Sequence, residues 1–340
     1  MSLAPGQFHS VNQLITICIP TCDRPQFLRE AVLSAFAQTY RPLEILIGDD
    51  SRFSSAEPAL TQFQSDATIE LHYNKNSKPI GQAGNVNELF TRARGDRIIL
   101  LHDDDLLLPD AVRILAECWN SNPQLTAAFG KQYVISATGE IRQNDSEKLN
   151  QIFFRTPERA GLQDCALESA LLQQFPNDGF MIRSDVARRI LFREYTEVGD
   201  AVDFDFGIRV ALHGASFCFV DEYLSKYRIT PGSITSASAT AEYMFPIIRR
   251  LRVPNEAKAA RDLALQRVAP FYVKKLALNK KRADALKVLL GPHFDRRLLW
   301  SKKGFILCGQ ILFPGVDRVL QKVRKVVGSR RRLSSFESLS

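Results

Sequence analysis

Apolar positions in the first 120 residues alternate between two rhythms. "LITICIP" (14–20) is a continuous β-rich apolar run closed by Pro20, the pattern of a strand buried on both faces of a parallel sheet. After the turn "TCDRP", "QFLREAVLSAFAQT" puts Phe27, Ala31 and Ala35 in one row and Leu28, Val32 and Phe36 beside it. That spacing predicts a helix entered at Pro25. "LEILIGDD" (43–50) and "TIELHYN" (68–74) read as further strands, and "GQAGNVNELFTRAR" as a helix entered through glycines. "DRIILL" reads as a fourth strand, followed by the helix "PDAVRILAECWNSN". Strand alternating with helix predicts a doubly wound α/β layer, with functional loops at the carboxyl ends of the strands.

The second third is less regular. "LTAAFGKQYVIS" followed by "TGEI" predicts a strand and a hairpin turn, and residues 144–175 read as helix and loop without clear boundaries. "GFMIRSDVARRIL" is a strand running into a helix. "EVGDAVDFDFGIRVALHG" is an acidic loop leading into an amphipathic helix that stops at Gly214, and "ASFCFVDEYLSKYRI" is strand-like. From about Met244 the chain turns helical and basic, and no internal repeat interrupts it. "GSRRRLSSFESLS" has the composition of a disordered tail.

Composition adds one thing the pattern hides. At 45% hydrophobic and 24% charged the 340-residue chain is ordinary for a globular protein. Its net charge of +8 is uneven: residues 1–240 carry 22 Lys+Arg against 30 Asp+Glu, and residues 241–340 carry 23 against 7. The basic end calls for an anionic partner such as a membrane surface. Within it, the apolar stretch "GFILCGQILFPGV" (304–316) is flanked by Lys and Arg. It is too short to span a bilayer; it can lie at an anionic membrane interface or pack as a helix with a solvated basic face. Nucleic acid is not expected, because the region lacks aromatic stacking residues and a reading motif. The six cysteines form no CxxC pair, so zinc is not expected, and they read as buried reduced thiols of a cytosolic protein. "MSLAPGQFHSVNQ" has no basic segment leading into an apolar one, so no signal peptide is expected.

Polar clusters stand at three strand ends: "TCDR", "GDDS" and "HDDD". The last is the most demanding. Two carboxylates about 5 Å apart repel by roughly 3 kcal/mol at an effective dielectric near 20, and Asp103, Asp104 and Asp105 are consecutive. A divalent cation, which prefers oxygen ligands, would offset that. The plainer account is a capped helix start ahead of Pro109, but three acids exceed what a cap requires.

Five pieces in order carry a resemblance: "ITICIPTCDRPQFLREAVLSAFAQTY", "LEILIGDDS", "GQAGNVNELFTRARGDRIILLHDDDLLLPD", "DFDFGIRVALHG" and "YRITPGSIT", spanning about Ile15 to Thr235. Together they resemble the family 2 glycosyltransferases of the GT-A fold. The resemblance implies a Rossmann-like mixed, mainly parallel sheet flanked by helices over residues 12–240. Its nucleotide-binding half would be 12–120 and its acceptor half 121–240. A basic helical C-terminal region (241–328) and a disordered tail (329–340) would follow.

It also implies roles. The acidic motif binds Mn2+ or Mg2+ on the diphosphate of a nucleotide-sugar, with Asp103 on the ribose and metal side, Asp105 on the metal and Asp104 in support. His102 reads as a packing residue or as one that supports the ligands from behind. Asp49 or Asp50 reads the base. Pro20, Thr21, Asp23 and Arg24 contact the nucleoside; Cys22 replaces a more usual aromatic or polar residue. Gly81 permits close backbone approach, and Asn85 lies near the donor. Asp203 takes the position of the base that deprotonates the acceptor, with Asp200 and Asp205 as alternatives. Arg209 is spaced to pair with Asp205. Two positions depart from the family pattern: Val202 stands where Glu is usual, and Thr230 where a His follows Tyr-Arg. Arg228, or Ser233, is then left to contact the diphosphate. The implied activity is inverting, metal-dependent transfer of a sugar to a hydroxyl acceptor, in cell-surface or lipid-linked glycan synthesis at the inner face of the membrane. The two departures leave a second reading, a catalytically inactive GT-A-fold protein that binds nucleotide or glycan.

Overall fold

The computed structural model describes residues 13–53, 55–65, 67–230 and 237–312. One nine-stranded sheet organises them. Its first half is parallel: β1 (Ile15–Thr21) lies between β2 (Leu43–Asp49) and β4 (Arg97–Leu100), and β3 (Ile69–Lys75) adds outside β2. These are the four strands the apolar runs predict. The second half is mixed. β8 (Met181–Arg183) pairs antiparallel with β4 and β6 (Ala127–Ile135), β6 runs parallel to β9 (Phe217–Arg228), and β9 also takes β5 (Leu106–Leu107) and β7 (Gly161–Leu162) antiparallel. The two-residue strands β5 and β7 are too short to leave a period in the sequence.

Strand side chains alternate between faces, and the sheet separates two cores. Ile15, Ile17 and Ile19 of β1 pack with α1 (Pro25–Phe36) and α3 (Ala111–Ser121). Cys18 points the other way, into a larger core with α2 (Gly81–Arg92). After α4 (Gln143–Ile152), that second face also receives α5 (Ala166–Leu171), α6 (Ser184–Ile190), α7 (Tyr195–Val198) and α8 (Val202–Leu212). The acids expected in a loop before α8 are partly inside it: Asp203 and Asp205 lie in its first turn, where the helix dipole favours them.

The basic region continues the same core. α9 (Ala237–Arg250), α10 (Lys258–Leu278), α11 (Arg282–Leu289) and α12 (Lys302–Leu312) bury Met244, Phe245, Ile248, Leu265, Val273, Leu307 and Ile311 in the cluster that holds Phe90 and Phe206. The boundary drawn at residue 240 therefore falls inside α9; it followed a shift in charge, and charge sits on the surface while packing sets the unit. Among the described residues no helix is long and apolar enough to cross a membrane. Leu307 and Ile311 of the apolar stretch are buried, while Phe305 and Trp300 are exposed. The expected disordered tail and residues 313–316 of that stretch lie outside the described residues. So does Ser233.

Gly95 lets the chain pass β1 at close range. A Cβ there would stand 2.7 Å from the Thr16 backbone nitrogen and 2.8 Å from the Leu14 carbonyl oxygen. Neither can retreat, because β1 is hydrogen-bonded on both sides. Gly95→Ala is expected to cost about 2–3 kcal/mol, read as a lowered urea midpoint at unchanged slope.

Candidate functional site

The strand order places a crevice at the carboxyl ends of β1, β2 and β4, where parallel α/β sheets bind ligands. A cleft of about 860 Å³ opens there. Pro20, Thr21, Cys22, Arg24, Asp50, Gly81, Asn85, Asp103, Asp104, Asp105, Asp203 and Arg228 all line it, along with His102 and Asp200. Of the expected site residues, Asp23 and Asp49 do not. Asp23 takes a left-handed backbone (φ 56°) and turns the chain; its amide donates to Ser51 Oγ at 2.7 Å.

The "GDDS" pair divides its labour. Asp49 is fully buried and accepts the Ser51 and Ala56 amides and the Tyr73 hydroxyl. Burial opposes its ionisation, but these hydrogen bonds win and hold its pKa below the usual range. Its oxygens are engaged by the loop, and Asp49 does not line the cleft. Asp50 accepts the Ile80 and Gly81 amides at 2.8 Å, and so anchors the start of α2 to the cleft. Gly81, at φ +78°, makes that approach in a backbone conformation that side chains disfavour. Asn85 donates to the Gly48 carbonyl at 2.8 Å and accepts from Asn76.

The acidic triplet splits too. Asp103 accepts the Thr21 hydroxyl at 2.7 Å, and Arg24 Nη2 lies 2.7 Å from its Oδ1 as an ion pair without hydrogen-bond alignment. Burial pushes Asp103 up to about 6, with Arg24 and Thr21 acting against it. Asp104 faces the opening, with 17% of its side chain exposed, and receives Arg24 Nη1 at 2.5 Å. Asp105 points inward. Its Oδ1 accepts the Arg228 amide at 2.7 Å. Burial, then the nearby Asp178 and Asp104, raise its pKa above the usual carboxylate value. Its nearest potential co-ligands are His102 and Asp178, whose ligand atoms lie with its own within 4.8 Å; Asp103 is not among them.

Asp178, Gln132 and Arg155 were not anticipated. Asp178 accepts the His102 amide at 3.1 Å and Gln132 Nε2 at 3.3 Å, and Arg155 donates to Gln132 Oε1 at 2.6 Å. Burial lowers Arg155 to about 9, with Asp178 opposing. A single Asp in "FPNDGF" between ambiguous segments gave no signal. His102 is more than packing: its Nε2 is buried and without a hydrogen-bond partner. Burial disfavours its charged form, but Asp178, Asp203, Asp104 and Asp103 outweigh that and raise its pKa.

Arg228 requires a correction. Its side chain is 1% exposed and its donors are committed to the Asp104 and Ala137 carbonyls and Glu30, with the guanidinium stacked over Phe27. It ties the acidic turn to α1 and has no free fork for a diphosphate. Cys22 is likewise exposed at the cleft mouth, and Cys118, Cys165, Cys218 and Cys308 are partly exposed; among the described residues Cys18 alone is fully buried, and no cysteine is bridged.

Around α8 the three candidate bases separate. Asp205 is buried and paired to Arg209 at 2.6 Å and Arg193 at 3.6 Å. Asp200 lines the cleft from the turn before α8. Asp203 also lines it, and its Oδ1 is buried with no hydrogen-bond partner. Burial pushes Asp203 up to about 6, with His102 drawing it down. Tyr195, Phe204, Thr240 and Met244 complete this end of the cleft, so α9 helps to build it.

Residues 16–178 match the profile described as "Glycosyl transferase family 2". Over that stretch, just under half of its length, the chain is similar to the family 2 glycosyltransferases. It is 24% identical over 284 residues to the GalNAc(5)-diNAcBac-PP-undecaprenol beta-1,3-glucosyltransferase of Campylobacter jejuni, covering 81% of this chain and 85% of the relative. It is also 24% identical over 223 residues to an uncharacterized glycosyltransferase of Methanocaldococcus jannaschii, covering 64% and 71%. The fold is that of GT-A enzymes. S. aureus TarS 1–349, solved with UDP-GlcNAc, superposes with a TM-score of 0.59 at 13% identity, over 87% of this chain and 86% of that one. The mannosyltransferase PcManGT of Pyrobaculum calidifontis, solved with GDP-Man and Mn2+, superposes with a TM-score of 0.57 at 16% identity, over 92% and 89%. The glycosyltransferase is therefore an enzyme of sugar transfer.

The Asp205–Arg209 pair is a stability element of this glycosyltransferase. Removing one partner strands a buried charge, so Asp205→Ala is expected to cost about 3 kcal/mol. Urea unfolding would show the loss, and nucleotide titration of the folded fraction should show unchanged affinity.

Proposed function

We propose that the protein is an inverting, metal-dependent transferase that moves a sugar from a nucleotide-diphosphate sugar to a hydroxyl group of a glycan or lipid-linked acceptor. One observation carries the reading: a carboxylate with an unspent buried oxygen, Asp203, shares a cleft with the acidic turn Asp103–Asp104. The acceptor oxygen bonds to the anomeric carbon as the bond from that carbon to the diphosphate oxygen breaks. The electron pair leaves with the diphosphate, and the acceptor proton goes to Asp203. A carboxylate near pKa 6 is ionised at neutral pH and still basic enough for the task. Thr21, Arg24, Asp50, Gly81 and Asn85 surround the donor's nucleotide.

The acidic turn fits a divalent cation. Its free donors are carboxylate oxygens, the ligands Mg2+ and Mn2+ prefer, and a guanidinium already stands between two of them. Asp103 and Asp104 are the pair that would hold it, since Asp104 opens to the cleft and Asp105 is turned inward. When bound, the ion would stabilise the charge gathering on the leaving diphosphate. A mannosyltransferase neighbour bound to GDP-Man and Mn2+ supports this reading, and a relative acting on an undecaprenol-linked glycan supports a lipid-linked acceptor. The exposed Trp300 and Phe305 beside basic residues suit contact with an anionic membrane.

A panel of nucleotide-sugars assayed for hydrolysis and transfer with Mn2+ tests the activity; no turnover of any donor would overturn it. Asp203→Asn is expected to cut transfer by about 10³-fold with donor affinity kept. The wild-type rate should fall tenfold per unit below about pH 6, as Asp203 takes up a proton. Asp104→Asn should weaken Mn2+-dependent nucleotide binding at least tenfold, on the order of one lost charge-assisted contact, and Asp105→Asn much less, by calorimetric titration.

A further inference from the structure

Arg24 holds a place that the proposed chemistry needs for something else. It precedes the first turn of α1, and its side chain, 44% exposed, reaches over the cleft wall to the acidic turn. One guanidinium serves both carboxylates: Nη2 is 2.7 Å from Asp103 Oδ1 and Nη1 is 2.5 Å from Asp104 Oδ2. Asp103 cannot turn away, because Thr21 fixes its other oxygen and its side chain is fully buried. Arg24 is the most exposed partner of the three.

A divalent cation on these oxygens would meet a positive guanidinium within a few ångströms, and like charges at that range repel. The arginine has to leave first, and it leaves readily only for a better anion. A diphosphate is such an anion, because the planar fork matches phosphate oxygens two at a time.

We infer that Arg24 is an internal counter-ion that orders ligand binding: in the free protein it pairs with Asp103 and Asp104, and it yields them to a divalent cation when a nucleoside diphosphate draws its guanidinium onto the phosphate oxygens. The inference rests on the donor reading above and adds a positioning role for Arg24 and a sequence of events. Metal and nucleotide then bind cooperatively, and by linkage each strengthens the other by the same factor. Without nucleotide the site resists stray metal, and the acidic turn stays paired with Arg24.

The test is Mn2+ titration of the full chain, following the free ion by electron paramagnetic resonance, with and without saturating UDP, GDP, ADP, CDP or dTDP. Wild type is expected to bind Mn2+ at least about tenfold tighter with the nucleotide it accepts. Arg24→Gln is expected to bind Mn2+ alone about tenfold tighter than wild type, and to gain less than about threefold from the nucleotide. Arg52, also on the cleft wall, provides the charge control: Arg52→Gln should leave Mn2+ affinity without nucleotide within about twofold. Arg24→Lys, which keeps the charge but cannot span both carboxylates, should fall between wild type and Arg24→Gln, and it serves if Arg24→Gln does not fold. Nucleotide binding with Mn2+ affinity unchanged or weakened in Arg24→Gln would overturn the counter-ion role alone. An equal gain in Arg52→Gln would do the same. If wild type takes none of the five nucleotides at any Mn2+ concentration, the donor reading falls and this inference with it.

Discussion

Carboxylate crowding at the carboxyl end of a parallel sheet is the constraint the site is built around. Asp49, Asp50, Asp103, Asp104, Asp105, Asp178 and Asp203 converge on the ends of β1, β2 and β4 and the helices beside them. Each close pair costs roughly 3 kcal/mol at an effective dielectric near 20, more than a marginally stable fold can leave unanswered. The protein answers in three different ways. Asp49 and Asp50 are dressed with backbone amides and hydroxyls. Asp103 and Asp104 take a guanidinium. Asp105 takes the Arg228 backbone amide.

Those answers also sort function from structure. A carboxylate whose oxygens are filled by the chain's own amides is a fastener; Asp49 is one, and Asp205 with its two arginines is another. A carboxylate held by an exposed, displaceable arginine can be exchanged. Asp203 is neither, because its buried Oδ1 has nothing to accept from among the described residues. A buried polar atom left empty in a well-packed region costs about 1–3 kcal/mol, and such a cost is tolerated where a substrate proton fills it. Arg228 teaches the converse: a charged residue at a strand end beside the acidic turn can be pure scaffold when its fork is filled by carbonyls and Glu30.

What the sequence revealed follows from the same physics. The four parallel strands and the helices after them were legible because burial on both faces leaves continuous apolar runs and burial on one side leaves a helical stripe. The acidic turn was legible because charge that dense has few structural uses. The division within each acidic pair was not, because side-chain direction depends on contacts from far along the chain: Arg24 on Asp104, Tyr73 on Asp49, the Arg228 amide on Asp105. Asp178, Arg155 and Gln132 were invisible for that reason too. Each is an isolated polar residue, Gln132 inside a predicted strand and the other two in or beside the ambiguous segment, and only the folded chain brings them together.

The basic C-terminal helices were misjudged as a separate unit because composition reports surface, not core. α9 through α12 share a core with α2 and α8, and α9 sets Thr240 and Met244 into the cleft wall. The two ends of the cleft thus have different origins. Near the acidic turn they are made by strand ends, whose positions are fixed by ladders running through the sheet. Near Asp203 they are made by helices resting on one another through apolar side chains, including Tyr195 and Phe204. Hydrogen-bonded ladders tolerate little change in register, whereas apolar helix contacts accept substitution when volume is kept. The strand end of the cleft is therefore the rigid end, and the Asp203 end is where substitution can reshape the cleft without rebuilding the sheet.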